Sequence, residues 1–135
     1  MTDRDEGEPS PIIALVLGWI IPGGGHAYAG NWGKAALFFL MITGTLVAGM
    51  IIGGWTVILW GPMWFAAQVC AGGPALALWR VAEYFAAQGG VDWANRFHEV
   101  GTLYAAVAGF LNLLVMMDAY IKLAYPHRGT ELEAE

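Results

Sequence analysis

Charge is what this sequence has least of, and the place where it is missing decides the class of protein. No Asp, Glu, Lys or Arg occurs between Ala35 and Trp79, a stretch far longer than the roughly 20 apolar residues a helix needs to cross a bilayer. Charged residues make up 13 % of the chain, against about 25 % in soluble domains. With 58 % hydrophobic residues and a mean hydropathy of +0.55, the chain has too little polar surface to clothe a core in water. The composition predicts an integral membrane protein.

Other shortages exclude functions. Ser10 is the only serine, so no serine triad can be assembled in the apolar part. Cys70 is the only cysteine; it can close no internal disulfide and reads as a small buried hydrophobe. Six Lys and Arg, scattered along the chain, give neither the basic footprint of a nucleic-acid-binding protein nor a polybasic lipid-binding patch. The apolar stretch also lacks the period-two alternation of barrel strands. Only closed barrels and helices satisfy backbone groups in hydrocarbon, so the expected fold is all-α, with about four hydrophobic helical segments and at least two full spans.

The net charge of −5 comes largely from the ends. Residues 1–9 read as an acidic disordered tail, 10–125 as a single helical membrane domain and 126–135 as a second acidic tail. Ser10-Pro11 is a plausible cap and first helical position. The apolar run from Ile12 to Ile21 is about 15 Å long as a helix, half the hydrocarbon thickness. A signal peptide would need a basic start, and this one carries Arg4 among Asp3, Asp5, Glu6 and Glu8.

Between Pro22 and Gly33 lie five glycines. Such density between two apolar helices predicts a compact turn, since glycine lets backbones approach closely. A phosphate loop would place Ser or Thr after its lysine. Here Lys34 is followed by Ala35, and the turn joins helices, so nucleotide binding is rejected. Ala35 to Gly54 then forms a full span, opened by Lys34. Gly61-Pro62 and Gly72-Gly73-Pro74 break the next segment into short helices rather than one straight crossing. Leu76 to Gln88 has the pattern of an amphipathic helix at an interface, and Asp92 that of a cap. The last helix begins near Phe97 and runs uncharged from Val100 to Met117.

Two blocks carry a family resemblance. Pro22-Gly23-x-Gly25-His26-x-Tyr28-x-Gly30, after a short helix and before an apolar one, resembles the turn signature of small bacterial membrane proteins related to the TM-two domain. Gly101-Thr102-Leu103-Tyr104 and the block from Ala108 to Ala119, with Asn112 and Asp118, resemble the C-terminal signature of one uncharacterised family in that group. The resemblance implies a bacterial multi-span membrane protein and no enzymatic activity.

Thr45, Gly49 and Gly53 recur every four residues, as do Gly101, Ala105 and Gly109. Small residues at that spacing let membrane helices approach closely, and the two faces are expected to meet. Asn112, mid-span, is expected to bond a neighbouring helix or a substrate, because polar groups inside a membrane are costly. Asp118 and Lys122, four apart, can pair on one helical face. His26, His98 and His127 share no metal-site spacing. His26 reads as a group holding the turn closed, and either His26 or His98 could ligate a haem or chlorophyll axially. No cofactor is otherwise expected.

The expected function is that of a non-enzymatic accessory or structural subunit, packing against a larger membrane complex or against itself in the bacterial cytoplasmic membrane. A transporter or channel-like oligomer and a tetrapyrrole-carrying subunit are the alternatives. Basic residues count four against two whether or not the middle segment crosses. Both countings place the N-terminus in the cytoplasm.

Overall fold

In a computed structural model the chain is described over residues 8–59, 61–89 and 94–125. All its regular structure there is helical: α1 (Pro11–Ile20), α2 (Gly24–Tyr28), α3 (Trp32–Gly53), a 3-10 turn (Trp55–Leu59), α4 (Pro62–Val69), α5 (Gly73–Ala87) and α6 (His98–Ala124). Most of the two acidic tails, the expected cap Asp92, and Trp60 and Trp93 lie outside the described residues.

The frame is an antiparallel pair. α3 and α6 are long and apolar enough to cross a membrane, roughly 33 and 40 Å at 1.5 Å per residue. Gly49 and Gly53 near the end of α3 meet Gly101 near the start of α6. The frame thus has a first end, where α3 begins and α6 finishes, and a second, where α3 finishes and α6 begins.

The shorter helices fill this frame as two hairpins that enter from opposite ends. α1 starts at the first end, where the Ser10 N–H donates to the Tyr28 hydroxyl at 3.4 Å, and descends until Gly18 lies against Met116. The chain then reverses through Pro22 and Gly23, and Gly24 and Gly25 pass back along the carbonyls of Leu17 and Ala14. Gly23 makes this reversal with φ of +80°, and a Cβ there would stand 2.5 Å from the Ala35 carbonyl oxygen. Both backbone angle and space therefore demand glycine. The glycine-rich segment is compact as expected, but it encloses the one-turn helix α2.

From the second end, α4 descends along α6 until Gly109 abuts the Ala67 carbonyl. It turns at Ala71 and Gly72 (φ +78°), and α5 climbs back. There Leu78 borders a groove with Val47, Met50 and Ile51 of α3, and Phe85 stacks on Trp55 at 5.2 Å. The tips of the two hairpins meet halfway, where the Trp19 and Ile20 carbonyls press on Gly72 and Gly73 and the Trp19 indole N–H donates to Val69 O at 3.2 Å.

The two breaks at Gly-Pro produce separate helices, as their missing N–H groups require. α5 begins at Gly73 rather than near Leu76, because Pro74 occupies its first turn without loss. α3 likewise starts two residues before Lys34, at Trp32. The core is built mainly from Ile42, Leu46, Val57, Ile58 and the alanines Ala71, Ala75, Ala82, Ala105 and Ala108, the small alanines letting four elements and the α4–α5 turn share one narrow interior.

Candidate functional site

Three polar side chains of α6, His98, Thr102 and Asn112, are buried on its inward side, whereas Glu99 and Lys122 are exposed. Asn112 is fully buried at the level where the hairpins meet. Its Nδ2 donates to Gly18 O at 3.2 Å, at the end of α1, and to Cys70 O at 2.9 Å, at the end of α4. The last carbonyls of a helix have no partner of their own. One amide group thus satisfies an acceptor on each hairpin and ties both to the long helix. Its Oδ1 is buried without a hydrogen-bond partner among the described residues.

Two turns further along α6, Asp118 stands at the edge of the frame, its side chain 46 % exposed. The Lys122 ammonium lies 2.6 Å from its Oδ2, and the His26 Nε2–H donates to the same oxygen at 2.8 Å. His26 itself is 2 % exposed, its ring edge-on to Phe38 with centroids 5.0 Å apart. The expected pair of Asp118 and Lys122 is therefore one arm of a three-residue cluster. The other arm links the short helix α2 to α6. Pro22, Gly23 and Gly25 are buried, while Tyr28 and Gly30 lie at the surface.

The two small-residue faces meet in part. A Cβ on Gly49 would stand 2.7 Å from Gly101 O and 3.1 Å from Ala105 N, and one on Gly101 2.5 Å from Gly53 Cα. Gly109 and Thr45 depart from the expectation. Gly109 packs on α4, and the half-exposed Thr45 hydroxyl donates to Met41 O of its own helix at 2.7 Å. A four-residue step on a 3.6-residue helix overshoots by about 40°, so two steps turn the stripe toward a different neighbour.

His98 is buried at the second end, its Nδ1 3.2 Å from Gly53 O, and Thr102 Oγ1 donates to His98 O at 2.9 Å. Gln68, absent from the sequence-level candidates, is fully buried and donates from Nε2 to Val57 O at 3.2 Å, fastening α4 to the 3-10 turn. The signal was a single amide in an uncharged run, the same signal that singled out Asn112. Among the described residues no three His, Cys, Asp or Glu side chains gather to hold a metal ion.

Fold and site together define an all-helical protein with two helices long and apolar enough to cross a membrane, braced by two short hairpins. Residues 13–130 match the family of unknown function DUF6677, and the chain belongs to that family. Comparison with curated proteins and with solved structures gives no match.

Proposed function

We propose that this chain is an integral protein of the bacterial cytoplasmic membrane, that α3 and α6 cross the bilayer, and that it works without catalysis, as an accessory or structural subunit packing against a larger membrane complex or a second copy. The observation that carries this reading is the outer face of α3. Gly33, Leu37, Leu40, Gly44, Val47 and Ile51 are all exposed and follow one another at steps of four and three, the spacing of a helix–helix seam. A Cβ on Gly33 or Gly44 would meet nothing within 4 Å. The small residues on the inner face are consumed by α6 within the chain, whereas these are open to a partner backbone.

The hairpins support the membrane half of the reading. Irregular backbone is tolerated at membrane depth only when buried in protein, and Pro22, Gly23, Ala71 and Gly72 at the two tips are all buried. With the middle segment re-entrant, Lys34 and Lys122 share one side with the chain ends that carry Arg4 and Arg128, against Arg80 and Arg96. The positive-inside rule then puts both ends in the cytoplasm.

Half-helices meeting at mid-depth also suit a transporter, since such sites are built from interrupted helices. Here, however, the carbonyl ends of α1 press on glycine Cα atoms of the opposite hairpin, which favours a brace over an ion site. Axial ligation of a tetrapyrrole is disfavoured because His26 and His98 are both buried among the chain's own helices.

Gentle-detergent purification from native membranes, with mass spectrometry and an absorbance spectrum, tests the proposal. A stoichiometric partner or a homo-oligomer, lost in Gly44→Leu with the fold intact, is the expected result. A colourless monomer unaffected by Gly44→Leu would overturn the subunit reading, and a Soret or chlorophyll band would replace it with the cofactor one.

A further inference from the structure

At the second end of the frame, Trp64 of α4 and Glu99, Thr102 and Leu103 of α6 line a cavity of about 290 Å3. Its polar groups are of one kind. Glu99 is exposed in the first turn of α6. It forms no ion pair among the described residues, unlike Asp118 and Glu83, which pair with Lys122 and Arg80. The Thr102 hydroxyl has committed its proton to His98 O, so it turns only lone pairs to any further partner. The indole of Trp64 adds a ring whose faces attract cations. A carboxylate, a hydroxyl oxygen and an indole together suit a compact cation carrying several N–H donors.

The surroundings specify what bears that cation. Leu103 lies one turn deeper than Glu99, and the neighbouring outer positions of α6, Val107, Phe110 and Leu114, are exposed and apolar. The polar end of the cavity stands where α6 begins, and the apolar track runs away from it along the helix. Arg96, just before α6, is exposed and offers a positive charge near the same level. That arrangement matches a zwitterionic lipid, with its ammonium toward Glu99, its phosphate toward the basic side and an acyl chain along α6.

We propose that this cavity is a headgroup site for a phospholipid with a primary ammonium group, such as phosphatidylethanolamine. The inference rests on the membrane placement of α6 proposed above. A primary ammonium is favoured over a quaternary one because three N–H groups can bond the carboxylate and hydroxyl, which methyl groups cannot.

The test uses the full chain in mild detergent, titrated with phosphatidylethanolamine, phosphatidylcholine or phosphatidylglycerol and read by native mass spectrometry. The expected result is retention of phosphatidylethanolamine about fivefold above phosphatidylglycerol, the size of one partly exposed ion pair, with phosphatidylcholine between them. Glu99→Gln should erase the preference and Trp64→Leu should weaken it. Glu83→Gln, which alters a carboxylate outside the cavity, should leave it unchanged. Equal retention of the three lipids by the parent protein, or a preference that survives Glu99→Gln, would overturn the site while leaving the membrane reading intact. Release of the parent protein from membranes by alkaline carbonate would overturn the membrane reading and the site with it.

Discussion

Replacing Gly101 by alanine adds one methyl group at the narrowest point of the molecule. That Cβ would stand 2.5 Å from Gly53 Cα and 2.7 Å from Gly53 N, and would overlap Gly49 O. All three are backbone atoms, so no side chain can swing aside. Restoring ordinary contact at 3.4 Å requires α3 and α6 to part by 3.4 less 2.5, or 0.9 Å. A gap of that size forfeits a quarter to a half of each dispersion contact nearby, and overpacking of this kind costs about 1–3 kcal/mol. Alanine is itself the better helix former by about 1 kcal/mol, which would obscure the cost if the variant were judged alone. Gly44→Ala is the matched reference. It makes the same exchange inside α3, where a Cβ meets nothing within 4 Å, so the helix-propensity gain cancels and the difference between the two variants isolates the clash. The expected difference is about 2 kcal/mol, close to 30-fold in the folding equilibrium. Unfolding by increasing SDS mole fraction in a mild detergent, followed by far-ultraviolet circular dichroism, measures it. Equal stability of Gly101→Ala and Gly44→Ala would refute the close α3–α6 approach.

Asn112→Leu should lower stability in the same assay by about 1–3 kcal/mol, since it strips a buried carbonyl at Gly18 and a half-buried one at Cys70 of their donor; an unchanged midpoint would remove Asn112 from its bracing role. His26→Ala, which loses both the bond to Asp118 and the contact with Phe38, should cost about 1–3 kcal/mol, whereas Lys122→Ala, losing a half-exposed partner, should cost no more than about 1; the reverse order would contradict the cluster described. In a Cys70→Ala background, cysteines at Ser10 and Tyr125 should react with an impermeant maleimide from one side of the membrane and a cysteine at Gln88 from the other. Labelling of Ser10 and Tyr125 from opposite sides would require a third crossing.

Much of the helical frame was legible because its signals are local. The uncharged run after Lys34 marks α3, the run from Val100 marks α6, and Gly61-Pro62 and Gly72-Gly73-Pro74 mark the breaks in between. Lys34, the first charge before the apolar run, marks the opening of α3 two residues late, because Trp32 and Gly33 already follow the helix. The partners were harder to read. The spacing of Gly101, Ala105 and Gly109 announces a tight contact without saying with which helix, and the rotation of the stripe brings Gly109 to α4. His26 and Asp118 lie 92 positions apart, and nothing in either neighbourhood announces the other. The meeting of the hairpins follows from the shortness of α1 and α4, each too short to cross the frame alone, but the point where they meet is fixed by long-range contacts, the carbonyls that Asn112 gathers, the Trp19–Val69 bond and the close approach at Gly72 and Gly73.

That gathering has a consequence for the order of events during synthesis. Both hairpins precede α6 in the chain, so their carbonyls at Gly18 and Cys70 leave the ribosome well before the amide that will satisfy them. Until α6 arrives, neither carbonyl has the donor it holds in the finished chain, and a nascent chain stalled after α5 would leave both helix ends without it, one on each hairpin. The finished chain gives both ends their donor at once. A single residue of the final helix thereby acts as a completion mark for the whole bundle.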